Sequence, residues 1–90
     1  MAATRWPDWW AWELELSPHL LKRMEDRRFN EVDLRRMLEY AHGYRPDAVE
    51  SRFLIEVRHG GAPWEVIVEP DESRLLLVVI TAYPVEQAES

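Results

Sequence analysis

The chain has 90 residues, with 17 acidic and 11 basic side chains and a net charge of −6 at neutral pH. That length makes one domain, which buries roughly 60–65% of its unfolded surface in one modest core. With 47% hydrophobic and 31% charged residues the chain reads as globular, its lack of cysteine excludes disulfides and thiolate metal sites, and its acidic balance argues against a generally nucleic-acid-binding surface.

The start, Met-Ala-Ala-Thr-Arg-Trp-Pro, lacks the apolar core of a signal peptide. The longest apolar run, Leu75 to Ile80, is too short to cross a bilayer, so a cytoplasmic protein is expected. Residues 1–9 are expected to form an N-terminal arm, residues 10–85 the domain and residues 86–90 an acidic tail. From Trp10 the pattern alternates, with Trp10, Trp12, Leu14 and Leu16 on one side and Glu13 and Glu15 on the other, which predicts a half-buried strand. Four of the five tryptophans crowd this end, as a cover for the core or as an exposed patch through which a homodimer or a partner would bind.

Ser17 then predicts a helix N-cap, with Pro18 at the first helical position. Leu20, Leu21 and Met24 make an apolar stripe, and His19, Arg23 and Arg27 a neighbouring stripe at four-residue spacing. An imidazole beside two guanidiniums suits an RNA-phosphate site; it also suits a solvated face whose arginines pair with Glu25 and Asp26. Between Ser17 and Arg52 eight cations stand against seven acids, whereas the rest of the chain carries three against ten. Asn30 predicts a second N-cap with Asp33 as capping-box partner, and Leu34, Met37, Leu38 and Ala41 repeat at helical spacing up to a Gly43 stop. Tyr44-Arg45-Pro46-Asp47 reads as a loop.

The remainder reads as β. Phe53, Ile55 and Val57 alternate with charged residues, His59-Gly60-Gly61-Ala62-Pro63 forms a hairpin loop, and Trp64, Val66 and Val68 alternate with Glu65 and Glu69. After the turn at Pro70-Asp71-Glu72-Ser73, Leu75 to Ala82 is apolar on both faces, as a central strand covered on both sides would be, with Thr81 and Tyr83 on the face of Leu75, Leu77 and Val79. The expected fold is α+β with β-α-α-β-β-β order, a helical hairpin packed on a small twisted antiparallel sheet.

His19-x-x-x-Arg23-Met24-x-x-Arg27 in a first helix, a second short helix, three strands and a closing Val-Ile-Thr-Ala-Tyr together resemble the small prokaryotic domain-of-unknown-function family four-two-five-eight. That family is similar to RelE/ParE-type toxins and to barnase-, colicin- and EndoU-like metal-independent ribonucleases, and the resemblance covers about Leu14 to Pro84. It implies a RelE-like fold and a toxin–antitoxin-type endoribonuclease acting on RNA, with a cognate antitoxin as partner and no cofactor or metal.

In that chemistry His19 is the acid or base, Arg23 and Arg27 bind the phosphate, and Tyr83 and Thr81 position the substrate. Arg52 and Arg58 would extend the cationic surface. The three histidines are scattered, so no zinc site is expected. The acidic balance and the tryptophan-rich start favour the alternative, a non-catalytic protein-binding or self-associating module that keeps the fold.

Overall fold

The computed structural model describes residues 6–85. Residues 1–5 of the expected arm over 1–9, and the tail over 86–90, lie outside the described residues. A 3-10 helix, Asp8–Ala11, leads into β1 (Glu13–Leu16), α1 (Pro18–Arg27), α2 (Glu31–Glu39), β2 (Gly43–Pro46), β3 (Phe53–His59), β4 (Ala62–Asp71) and β5 (Leu76–Pro84).

Both helices start where the chain chemistry asks. The Ser17 hydroxyl accepts the Leu20 N–H at 3.0 Å, and Pro18 sits where its missing donor costs nothing. Asn30 and Asp33 form the complete capping box, each side chain accepting the other's backbone N–H at 2.9 and 3.1 Å. Between them Arg28 takes a left-handed φ of 58°, a cost of about 1–2 kcal/mol for a residue with a Cβ, and this reverses the chain into α2. Of the expected apolar stripe on α1, Leu20 is fully buried and Met24 half-buried, but Leu21 is 51% exposed. One helix turn offers the sheet a single deep contact, and Leu20 takes it.

The five strands run in the order β1-β5-β4-β3-β2. β2, β3, β4 and β5 pair antiparallel, but β1 lies parallel to β5, from Glu13 against Leu76 to Leu16 against Val79. The expected antiparallel sheet is therefore mixed. The chain leaves β1 through the two helices, which lie on β5 and β3 and do not pack on each other as the expected hairpin would. It comes back to the far edge of the sheet, and only the last strand returns beside β1.

The fifth strand corrects the expected loop at Tyr44–Asp47. Tyr44 pairs with Ile55 and Pro46 with Phe53, and Pro46 is tolerated because β2 is the sheet edge. Gly43 is thus a strand residue, not a helix stop. A Cβ there would stand 2.6 Å from the Glu56 carboxylate, so glycine makes room for the side chain opposite it. Strand β1 starts at Glu13, since Trp10 belongs to the 3-10 helix and Trp12 follows it. The β3–β4 turn is shorter than expected: His59 still pairs with Ala62, and Gly60 and Gly61 carry φ of 62° and 80°, which the two-residue hairpin requires.

One sheet face carries the helices. Leu20, Phe29, Leu34, Met37 and Leu38 meet Ile55, Val57, Trp64, Val66, Val68, Leu77, Val79 and Ala82 in a single core. Trp6, Trp9 and Trp10 extend it, Trp6 stacked on Trp10 at 4.2 Å and Trp9 against Phe53 at 4.9 Å. Leu54 and Ile67 are buried on the opposite face, outside that core.

β5 begins at Leu76, because Leu75 has a left-handed φ of 53° and is 59% exposed. A bulge then changes the facing of the strand: Ile67 pairs with Thr81 but Val68 with Val79, so Ile80 is the extra residue. Leu77 and Val79 point into the core, and after the bulge it is Ala82 that does so. Thr81 and Tyr83 consequently stand on the open face, opposite to the side expected from strict alternation.

Candidate functional site

Pairing of β1 to β5 ends at Leu16 and Val79, which leaves the outer edge of β5 open from Ile80 onward. α1 closes it with side chains and one backbone bond. The Ser17 N–H donates to the Val79 carbonyl at 3.1 Å, its hydroxyl donates to the Ile80 carbonyl at 2.9 Å, and Arg27 Nη1 donates to the Ala82 carbonyl at 2.8 Å. The helix is thereby fixed along residues 79–82, with His19 and Arg23 between its two points of attachment.

His19 is exposed in the first turn of α1. Arg23 Nη1 lies 2.9 Å from Asp26 Oδ2, an exposed pair of the kind worth up to about 1 kcal/mol. Arg27 commits one N–H to Ala82 and keeps the rest of its donor fork on the exposed side. The helical trio therefore shares one border of the molecule, and the Ala82 carbonyl brings the end of β5 to it.

The remaining candidates lie elsewhere. Thr81 and Tyr83 flank Ala82 in the chain, yet their side chains stand on the open face, opposite Ile67 and Glu65. Arg52 Nε donates to Glu69 Oε1 at 3.0 Å, while Arg58 Nη1 reaches the Gly61 carbonyl at 3.4 Å. These two arginines sit at opposite ends of β3, about 20 Å apart at 3.3 Å per residue, so they do not form one patch with each other.

The open face is organised by a group of which sequence reasoning singled out Tyr83 alone. Gly43, Glu56, Glu65 and Tyr83 form a row across β2, β3, β4 and β5. Arg45 Nη1 lies 2.8 Å from Glu56, and its Nη2 lies 3.7 Å from Glu65. Burial, and then a hydrogen bond to the charged Glu65, push the Tyr83 hydroxyl up to about 12. Near neutral pH it is a hydrogen-bond donor and not a phenolate. Arg45 escaped notice because Pro46 marked its segment as a loop; the alternation of Glu56, Glu65 and Tyr83 in their strands was the visible signal.

Several cavities indent the surface of the described residues, and three of them stand out. The first, of about 240 Å³, lies between Trp10, Trp12, Leu14, Leu38 and Leu77, with Arg35 and Glu39 at its rim. A larger groove runs past Phe53, Glu69, Asp71, Arg74 and Ile80, and a third lies around His42, Trp64 and Glu65. None of the three is lined by His19, Arg23 or Arg27. Among the described residues no three His, Cys, Asp or Glu side chains are grouped as a metal site would need, and no helix is long and apolar enough to cross a membrane.

These features define a small α+β domain: two helices, α1 laid along β5 and α2 on β3, over a five-stranded mixed sheet, with a cationic helix stripe at the border of its last strand. Residues 16–84 match the family described as Domain of unknown function (DUF4258), and the chain belongs to that family. No curated protein and no solved structure matches the chain.

Proposed function

We propose that this domain is a RelE-like, toxin–antitoxin-type protein that cleaves RNA without a metal, using the border between α1 and β5. One observation supports the reading above the others: Ser17 and Arg27 attach α1 to Ile80 and Ala82, so His19, Arg23 and Arg27 share one exposed edge beside the end of β5.

In this reading an RNA phosphate lies along the stripe. The 2′-hydroxyl attacks phosphorus and loses its proton, the 5′-oxygen leaves and gains one, and His19 serves one of these two transfers. Arg23 exchanges its exposed Asp26 partner for a non-bridging phosphate oxygen, and the free donors of Arg27 meet the other. Thr81 and Tyr83 present their hydroxyls on the open face and, with Arg52 and Arg58, meet flanking nucleotides there, away from the phosphate held by the stripe. A cognate antitoxin would cover the border in the resting cell. His19→Ala is expected to lower RNA cleavage by about 10²- to 10⁴-fold, the usual worth of an acid or base, and to relieve growth arrest on expression. Arg23→Ala should weaken binding and rate together; undiminished cleavage in both variants removes the stripe from the chemistry.

A second reading is favoured by a different observation. Arg23, Arg27 and Tyr83 each hold a partner within the chain, and the net charge is −6. A non-catalytic module that binds a protein, or a second copy through the tryptophan-rich start, would need none of them free. RNA binding at low salt separates the two: its absence, with a tight protein complex or a dimer lost on Trp10→Ala, supports the module.

A further inference from the structure

Ser17 makes more structural connections than a helix cap requires. Its hydroxyl accepts the Leu20 N–H at 3.0 Å and donates to the Ile80 carbonyl at 2.9 Å. Its backbone N–H and carbonyl bond Val79 and Leu21, at 3.1 and 3.0 Å. Ile80 is the bulged residue of β5, the point at which the strand gains a residue and turns Thr81 outward. A bulge leaves a carbonyl outside the ladder, and the Ser17 hydroxyl is what satisfies it.

We propose that Ser17 is a positioning residue: through its hydroxyl it seats the first turn of α1, which carries His19 two residues on, against the bulged backbone at Ile80. This rests on the reading of the α1–β5 border as an RNA-cleaving site. The other attachment, Arg27 to Ala82, lies at the far end of α1 and fixes the direction of the helix. Ser17 fixes where its first turn stands, and that turn carries the imidazole. A hydroxyl is suited to the task because it both donates and accepts.

The two halves of the role separate by substitution. Ser17→Thr keeps the acceptor and the donor. Ser17→Asp keeps the acceptor for the helix N-terminus and loses the donor for Ile80. The expected result is RNA cleavage near wild type for Ser17→Thr, and a fall of about tenfold or more in kcat for Ser17→Asp. In the latter, KM should change little, while the melting temperature should fall because the Ile80 carbonyl loses its donor. Amide exchange measured on both variants should show the Leu20 N–H still protected in Ser17→Asp and the segment around Ile80 and Thr81 less protected. Equal kcat in Ser17→Asp and wild type, with the same exchange pattern, overturns the proposal. If wild-type protein cleaves no RNA, the reading of the site fails; exchange at Ile80 and Thr81 then still decides whether the hydroxyl holds the bulge, and unchanged protection there refutes that link too.

Discussion

The border of α1 with β5 and the open face of the sheet are both polar regions, and they are built on opposite plans. At the border, three short hydrogen bonds from Ser17 and Arg27 end on backbone carbonyls, backed by Leu20, whose side chain is fully buried. On the open face, guanidinium–carboxylate pairs dominate: Arg45 with Glu56 and Glu65, Arg52 with Glu69, and Arg74 with Glu15 and Asp71. Bonds to backbone carbonyls place a helix in one register. Exposed ion pairs can exchange partners and are screened by salt, so they shield the apolar residues below them without fixing a unique geometry. The difference makes the border the more precisely fixed of the two regions and the face a tolerant cover.

The sharpest way to break this contrast is Leu20→Ala. Removing a fully buried leucine should cost about 2–5 kcal/mol in denaturant unfolding and should loosen α1 along β5. A loss below 1 kcal/mol would show that the hydrogen bonds hold the border alone. A smaller effect is expected from Arg45→Ala on the face. Losing its pairs with Glu56 and Glu65 should lower stability by at most about 1 kcal/mol at low salt. The loss should largely vanish near 1 M salt, where the screening length is about 3 Å. A salt-independent loss would mean that Arg45 packs rather than pairs.

The smallest effect concerns Tyr83. Its hydroxyl is raised from 10.0 to about 12, so the folded protein holds that proton more tightly than the unfolded chain. The contribution is complete below about pH 10 and is lost as pH rises toward 12. Tyr83→Phe should flatten that alkaline decline in thermal melts; an unchanged slope would place Tyr83 in water.

Much of this fold was legible. Ser17 and Asn30 marked both helix starts because cap chemistry is local, and Gly60-Gly61 marked a hairpin because both residues need positive φ. The candidate site was legible as a stripe, since His19, Arg23 and Arg27 share a helix face whatever the helix packs on. Its relation to the strand end was not: strict alternation placed Thr81 and Tyr83 on the core side, and the bulge at Ile80 reversed that.

The amino-acid sequence by itself thus determined both helix starts, the β3–β4 turn and the alternation of β3 and β4, because each depends on residues within a few positions of one another. Only the tertiary structure decided the parallel pairing of β1 with β5, the edge strand at Gly43–Pro46 and the face on which Tyr83 stands. Those depend on which distant strand supplies a hydrogen-bond partner, and no local pattern carries that information. The border of α1 is the case in point: Ser17 announces a helix in the sequence, and the fold gives its hydroxyl a second partner 63 residues away.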